Sequence, residues 1–143
     1  MELRCGLKWL VVAVLVCLWG CAHRDPIVGR WVDDRVGEFA MVFRPDGTVS
    51  WDVDTDKMAK RVLAEHPGWA ERVKSQFPEM EKRIRAQKGT WSKAGDVYGV
   101  RIELNGKWTD AGYFRVGNGA LTTCTKEGRP AGKLKWVREG LRR

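Results

Sequence analysis

Residues 39–53 read Phe39-Ala40-Met41-Val42-Phe43-Arg44-Pro45-Asp46-Gly47-Thr48-Val49-Ser50-Trp51-Asp52-Val53. Pro at the first corner and Gly two positions on describe a type I turn followed by a left-handed residue, the composition of a three-residue hairpin loop. That loop pairs Arg44 with Thr48. It then sets Phe43 opposite Val49, Met41 opposite Trp51 and Phe39 opposite Val53, while Ser50 and Asp52 point the other way. A two-residue loop would shift the register by one and mix the faces. The stretch is therefore a β-hairpin with one apolar face.

Working outward, strand-like alternation separated by turn residues predicts strands at 28–34, 38–44, 48–54, 89–93, 97–103, 107–117, 120–126 and 133–138. Asn118-Gly119 fits a two-residue turn that matches Val116 with Leu121 and Phe114 with Thr123, and it puts Cys124 on the face away from that core. Asn105-Gly106 is expected instead to belong to a three-residue loop, Leu104 to Gly106. That register pairs Glu103 with Lys107 and turns Ile102 and Trp108 inward together. Eight meandering strands suggest a small antiparallel barrel, which closes its own edges.

The stretch at about 56–88 interrupts the strands with a helical pattern. Asp54-Thr55-Asp56 suits an N-cap. Met58 and Val62 share one helical face, as do Trp69, Val73 and Phe77, then Met80 and Ile84. Pro67-Gly68 and Pro78 are expected to divide it into two or three short helices. The opposite faces carry Arg72, Lys74, Lys82, Arg83, Arg85 and Lys88. Basic amphipathic helices either cover a barrel mouth, the commoner role, or lie on a membrane.

The N-terminus has a different character. Arg4 and Lys8 precede an apolar run from Trp9 to Gly20, and Cys21 follows. The run has the length of a signal-peptide core and falls short of the ~20 residues that span a bilayer. Leu18-Trp19-Gly20-Cys21 resembles the lipobox of bacterial lipoproteins, although Trp19 stands where that pattern has a small residue. The resemblance implies a signal peptide at 1–20, lipidation of Cys21 and a lipidated tether at 21–26. It also implies an address in the bacterial cell envelope, on the outer-membrane side given Ala22, facing the periplasm. Residues 27–143 remain as one domain. Cys5 and Cys17 leave with the signal, so Cys124 has no disulfide partner within the domain.

Within that domain, Gly29-Arg30-Trp31 on the first strand and Arg138 on the last resemble the G-x-W and arginine signature of the lipocalin superfamily. Phe43-Arg44-Pro45-Asp46-Gly47-Thr48 is similar to a turn of bacterial lipocalin-like domains, and Gly89-Thr90-Trp91 repeats G-x-W at the fourth strand. The resemblance implies an eight-stranded barrel closed at one end by Trp31, with Gly29 beside it and Arg138 packed over the ring. Two features depart from it. The helices fall between strands three and four rather than after the eighth, and the usual disulfides are absent.

The chain carries a net charge of +8, of which residues 1–20 supply one charge (Arg4 and Lys8 against Glu2). The basic residues are dispersed along the chain, which describes a solvated surface better than a nucleic-acid groove. Asp52-Val53-Asp54-Thr55-Asp56 opens like a calcium loop but has Lys57 and Leu63 where that loop needs Gly and Glu. His23 and His66 have no spaced partners for zinc, and Cys124 has no base signalled near it. A non-enzymatic protein without metal or cofactor, monomeric and not binding nucleic acid, is the expectation.

Trp31, Trp51, Trp108 and Trp136 fall on faces read as inward, and aromatics inside a small barrel more often fill it than line a cavity. Two functions remain open. One is a binding protein that holds a small hydrophobic or amphipathic ligand among Met41, Phe43, Trp51, Trp108 and Phe114. The other is a filled barrel that contacts envelope protein, peptidoglycan or lipid headgroups through the basic helical insertion.

Overall fold

A computed structural model describes residues 24–140. It is mainly β, with strands β1 (Gly29–Asp33), β2 (Phe39–Phe43), β3 (Thr48–Val53), β4 (Gly89–Ala94), β5 (Val97–Leu104), β6 (Lys107–Gly117), β7 (Ala120–Cys124) and β8 (Pro130–Arg138). Helices α1 (Thr55–Glu65) and α2 (Ala70–Ala86), joined by a 3-10 turn at Pro67–Trp69, form the insertion between β3 and β4. Each strand pairs antiparallel with the next, and β1 pairs with β8 to close the barrel.

The β2–β3 hairpin has the register its sequence dictates: Phe39 with Val53, Met41 with Trp51 and Phe43 with Val49. The Arg44 N–H donates to the Thr48 carbonyl at 2.9 Å to close the turn. The β6–β7 turn is likewise as expected, with Val116 opposite Leu121 and Phe114 opposite Thr123.

The β5–β6 connection corrects the sequence reading. It is a two-residue turn, with Asn105 at φ 52° and Gly106 at φ 76°, the paired left-handed residues a type I′ turn needs. Leu104 therefore faces Lys107, Glu103 faces Trp108 and Ile102 faces Thr109. The odd residue is absorbed deeper in the ladder. Arg101 pairs with Asp110 while Val100 pairs with Gly112, leaving Ala111 as a bulge. Below the bulge Tyr98 meets Phe114, both buried, so apolar again faces apolar.

Asp54 caps α1, its Oδ1 accepting the Lys57 N–H at 2.9 Å. The helix ends before Pro67, which disfavours helical backbone at His66. Pro78 does not break α2, contrary to expectation. It removes one N–H, yet Pro78 and Lys74 are both exposed, so the carbonyl left without its donor is open to water. Met58 and Val73 are the buried residues of the two helices, whereas Trp69, expected on the same face as Val73, is exposed.

The alternating strand directions define two ends. Residues 24–28 and the turns at 44–47, 95–96 and 118–119 gather at one, while loops 34–38, 105–106 and the helical insertion gather at the other. Between them Ile27, Trp31, Met41, Phe43, Val49, Tyr98, Val100, Phe114 and Leu121 form one buried core, flanked by half-buried Trp51, Trp91, Val116 and Trp136.

Candidate functional site

At the first end the barrel is sealed. Trp31, 1 % exposed, lies across it and donates its ring N–H to the Ile27 carbonyl at 2.7 Å. The Arg138 guanidinium stands 5.0 Å from the Trp31 ring centroid and donates to the carbonyls of Pro26 and Val28. Gly29 completes this packing at φ +145°, backbone that L side chains rarely adopt. Gly29, Trp31 and Arg138 thus meet at this end. A second clasp was not legible: Tyr98 and Lys93 both donate to the Asp25 carboxylate. Burial would push that carboxyl up, but the hydrogen bonds from Tyr98, the Ile27 N–H and Lys93 outweigh it and hold it below its ordinary value.

The second end, termed the open end in contrast to the Trp31–Arg138 closure, carries the helical insertion and is differently furnished. Among the described residues the exposed large apolar side chains are Val36, Phe39, Trp69, Leu104, Trp108 and Leu134. Val36 lies in the β1–β2 loop, Phe39 opens β2, Trp69 joins the helices, and Leu104 and Trp108 flank the β5–β6 turn. Leu134 is the middle residue of β8, two residues before the half-buried Trp136. Phe39 and Leu104 continue the inward alternations of Met41 and Ile102, so they stand at the rim.

Of the five residues proposed to line a cavity, Met41, Phe43 and Phe114 are buried against one another's cluster and act as fill. Trp51 is half-buried, its ring lying over Gly89 so closely that a Cβ there would sit 2.4 Å from it. Trp108 is not with them. It is 42 % exposed and faces the side opposite Ile102, a direct consequence of the two-residue turn. Three clefts are formed by residues 115–135, by Arg30 with residues of β3, α1 and α2, and by the outer faces of β4–β6, and none of them is lined by these five.

The insertion is tied to the open end by ion pairs the sequence did not announce. Buried Glu38 accepts from Arg61 at 2.6 and 2.9 Å, and the Asp54 N–H donates to the Glu38 carbonyl. Asp52 accepts from Arg30 and from Arg85 of α2, and Arg85 also pairs with Glu81. Burial raises the Asp52 carboxyl, and the two guanidinium groups with the Val53 N–H bring it below its ordinary value. Arg85 is therefore a structural tie. Arg72, Lys74, Lys82, Arg83 and Lys88 are exposed and have no ion pair among the described residues, with Arg72 over the Trp69 ring.

Cys124 faces away from the barrel core, as its register requires, yet it is buried. The loop 125–129 folds back over that face, where Arg115 donates to the Gly128 carbonyl, and burial pushes the thiol's pKa up. A raised thiol is a poor nucleophile. Cys21 lies outside the described residues. No protein-family model matches the chain, and no curated protein or solved structure does either.

Proposed function

We propose that the chain is a lipid-anchored, non-enzymatic protein of the bacterial cell envelope that takes up a small hydrophobic or amphipathic ligand at the open end of a lipocalin-like barrel. The observation that carries this reading is the distribution of exposed apolar side chains: Val36, Phe39, Trp69, Leu104 and Trp108 lie on elements of one end, and Leu134 lies midway along β8. Apolar groups left in water at one place mark a surface that meets something else. The signal at 1–20 with Cys21 supplies the anchor, and the Trp31–Arg138 closure supports the lipocalin likeness. The ligand sits higher than the sequence suggested, against Phe39, Leu104, Trp51 and Trp136, because Met41, Phe43 and Phe114 fill the base.

That filled base also favours a second reading, an interaction protein whose free cations on α2 meet an envelope partner. Native mass spectrometry of residues 22–143, expressed in a bacterial periplasm, separates the two. A reproducible extra mass that is lost on denaturation supports the ligand. A clean apoprotein mass from its native envelope counts against it and favours the interaction reading, as would loss of a crosslinked partner when Arg72, Lys74 and Lys82 are changed to Glu.

A further inference from the structure

We infer that the sealed end lies against the headgroups of the bilayer that holds the lipid, and that the open end and the helical insertion face away from it. This rests on the proposed lipidation of Cys21. From Cys21 to Arg24 the chain has three peptide steps, a reach of at most about 11 Å. Immediately beyond, the chain is fixed to the sealed end: Asp25 by Tyr98 and Lys93, Pro26 and Val28 by Arg138, and Ile27 by burial in the core.

That end offers groups suited to lipid phosphates. Arg24 and Arg44 are exposed there and have no ion pair among the described residues, although the exposed Asp46 of the same turn feels the charge of Arg44. No large apolar side chain is exposed there among the described residues, so the contact is polar and superficial rather than inserted. The insertion is rooted at the far ends of β3 and of the β1–β2 loop through Asp52–Arg85 and Glu38–Arg61. Strands of this length, tilted as barrel strands are, separate the two ends by about 15 Å. That distance exceeds the roughly 8–10 Å over which salt lets the membrane's charge act. The basic face of α2 is therefore presented to the aqueous side, and whatever binds the open end arrives from there.

The experiment uses the lipidated chain from Cys21 to Arg143, carrying Cys124→Ala, in phosphatidylethanolamine–phosphatidylglycerol vesicles with a headgroup-located quencher. A fluorophore is attached in turn at Ala94→Cys on the sealed end, Lys107→Cys at the β5–β6 turn and Ala70→Cys on α2, all exposed positions. Given that separation of the ends, quenching at 94 is expected to exceed that at 107 and 70 at least about threefold. Arg24→Glu with Arg44→Glu is expected to halve the signal at 94, roughly, while the protein stays vesicle-bound. Equal quenching at the three positions, stronger quenching at 70 or 107, or none at 94 in bound protein overturns the orientation. An unchanged signal in the double variant overturns the headgroup contact. Failure of the underlying reading is separate: the intact mass would lack the lipid, and Cys21→Ser would leave membrane association unchanged.

Discussion

The two ends of this barrel treat the same kind of side chain in opposite ways. At the sealed end Trp31 is covered, its ring N–H is satisfied and a guanidinium lies over its face. At the open end Trp108 and Leu104 flank a turn in water, and Phe39 at the start of β2 is exposed as well. Among the described residues no buried side-chain nitrogen or oxygen lacks a partner. The base holds the buried core, whereas the exposed apolar side chains of the other end belong to no buried cluster. Side chains without structural duty are where a binding role is to be sought.

The sharpest way to break that contrast is to remove one tryptophan from each end. Trp31→Ala deletes a fully buried ring, its hydrogen bond and its cation–π contact, and is expected to lower unfolding free energy by about 3–5 kcal/mol. Trp108→Ala removes a surface ring and is expected to change it by no more than about 0.5 kcal/mol. Urea denaturation of both variants measures the difference, and similar losses would abolish the distinction between the ends.

A smaller effect is expected where the two halves meet. Gly89→Ala drives a methyl into the Trp51 ring and the Val49 side chain, with separations of 2.4 and 2.6 Å before relaxation. Overpacking of this kind costs about 1–3 kcal/mol. Arg138→Met is expected to cost about 1–3 kcal/mol, through the two backbone carbonyls it leaves without their donor and the lost cation–π contact. Thermal unfolding checks both.

How much of this was legible follows from where the residue pattern allowed one register and where it allowed two. In residues 39–53 only one loop length keeps every apolar residue on one face, so the hairpin could be read off directly. Around Asn105-Gly106 a longer loop and a bulge are two ways to absorb the same odd residue, and alternation alone does not choose between them. The bulge at Ala111 prevails because both turn residues accept left-handed backbone. The misplacement of Trp108 follows from that single slip. Pro78 misled for a different reason: its cost depends on whether the neighbouring carbonyl is solvated, which is tertiary information. The ties that seat the insertion, Glu38–Arg61 and Asp52–Arg85, join residues 23 and 33 positions apart and leave no local signature.

Acid sharpens the comparison in another way. Asp25 at the sealed end, and Asp33 and Asp52 towards the open end, all have carboxyls held below the ordinary aspartate value of 3.8. For Asp33, burial pushes upward and the backbone N–H groups of Arg35, Val36, Gly37 and Glu38 prevail over it. A depressed carboxyl stabilises the fold fully above its unfolded pKa, and that contribution disappears as pH falls through the lower folded value. Stability is therefore expected to be level from neutral pH to about 4 and to fall below it. Asp33→Asn is expected to lower the plateau and flatten the acid limb. A variant with an unchanged acid limb would show that the loop's N–H groups do not favour the charged form.

The smallest expected change in stability carries the most functional weight. Phe39→Ser with Leu104→Ser removes two rim side chains that are 37 % and 46 % exposed. Each is expected to shift unfolding free energy by about 0.5 kcal/mol or less, as surface substitutions do. The same pair is expected to abolish the proposed ligand mass in native spectra, because the rim would no longer offer apolar surface above Trp51 and Trp136. Core-sized destabilisation would mean that the rim holds the barrel together and that the two ends do not differ in kind. Unchanged stability with the ligand still bound would move the site off the rim. Only loss of the ligand from an equally stable barrel separates binding from folding at the open end.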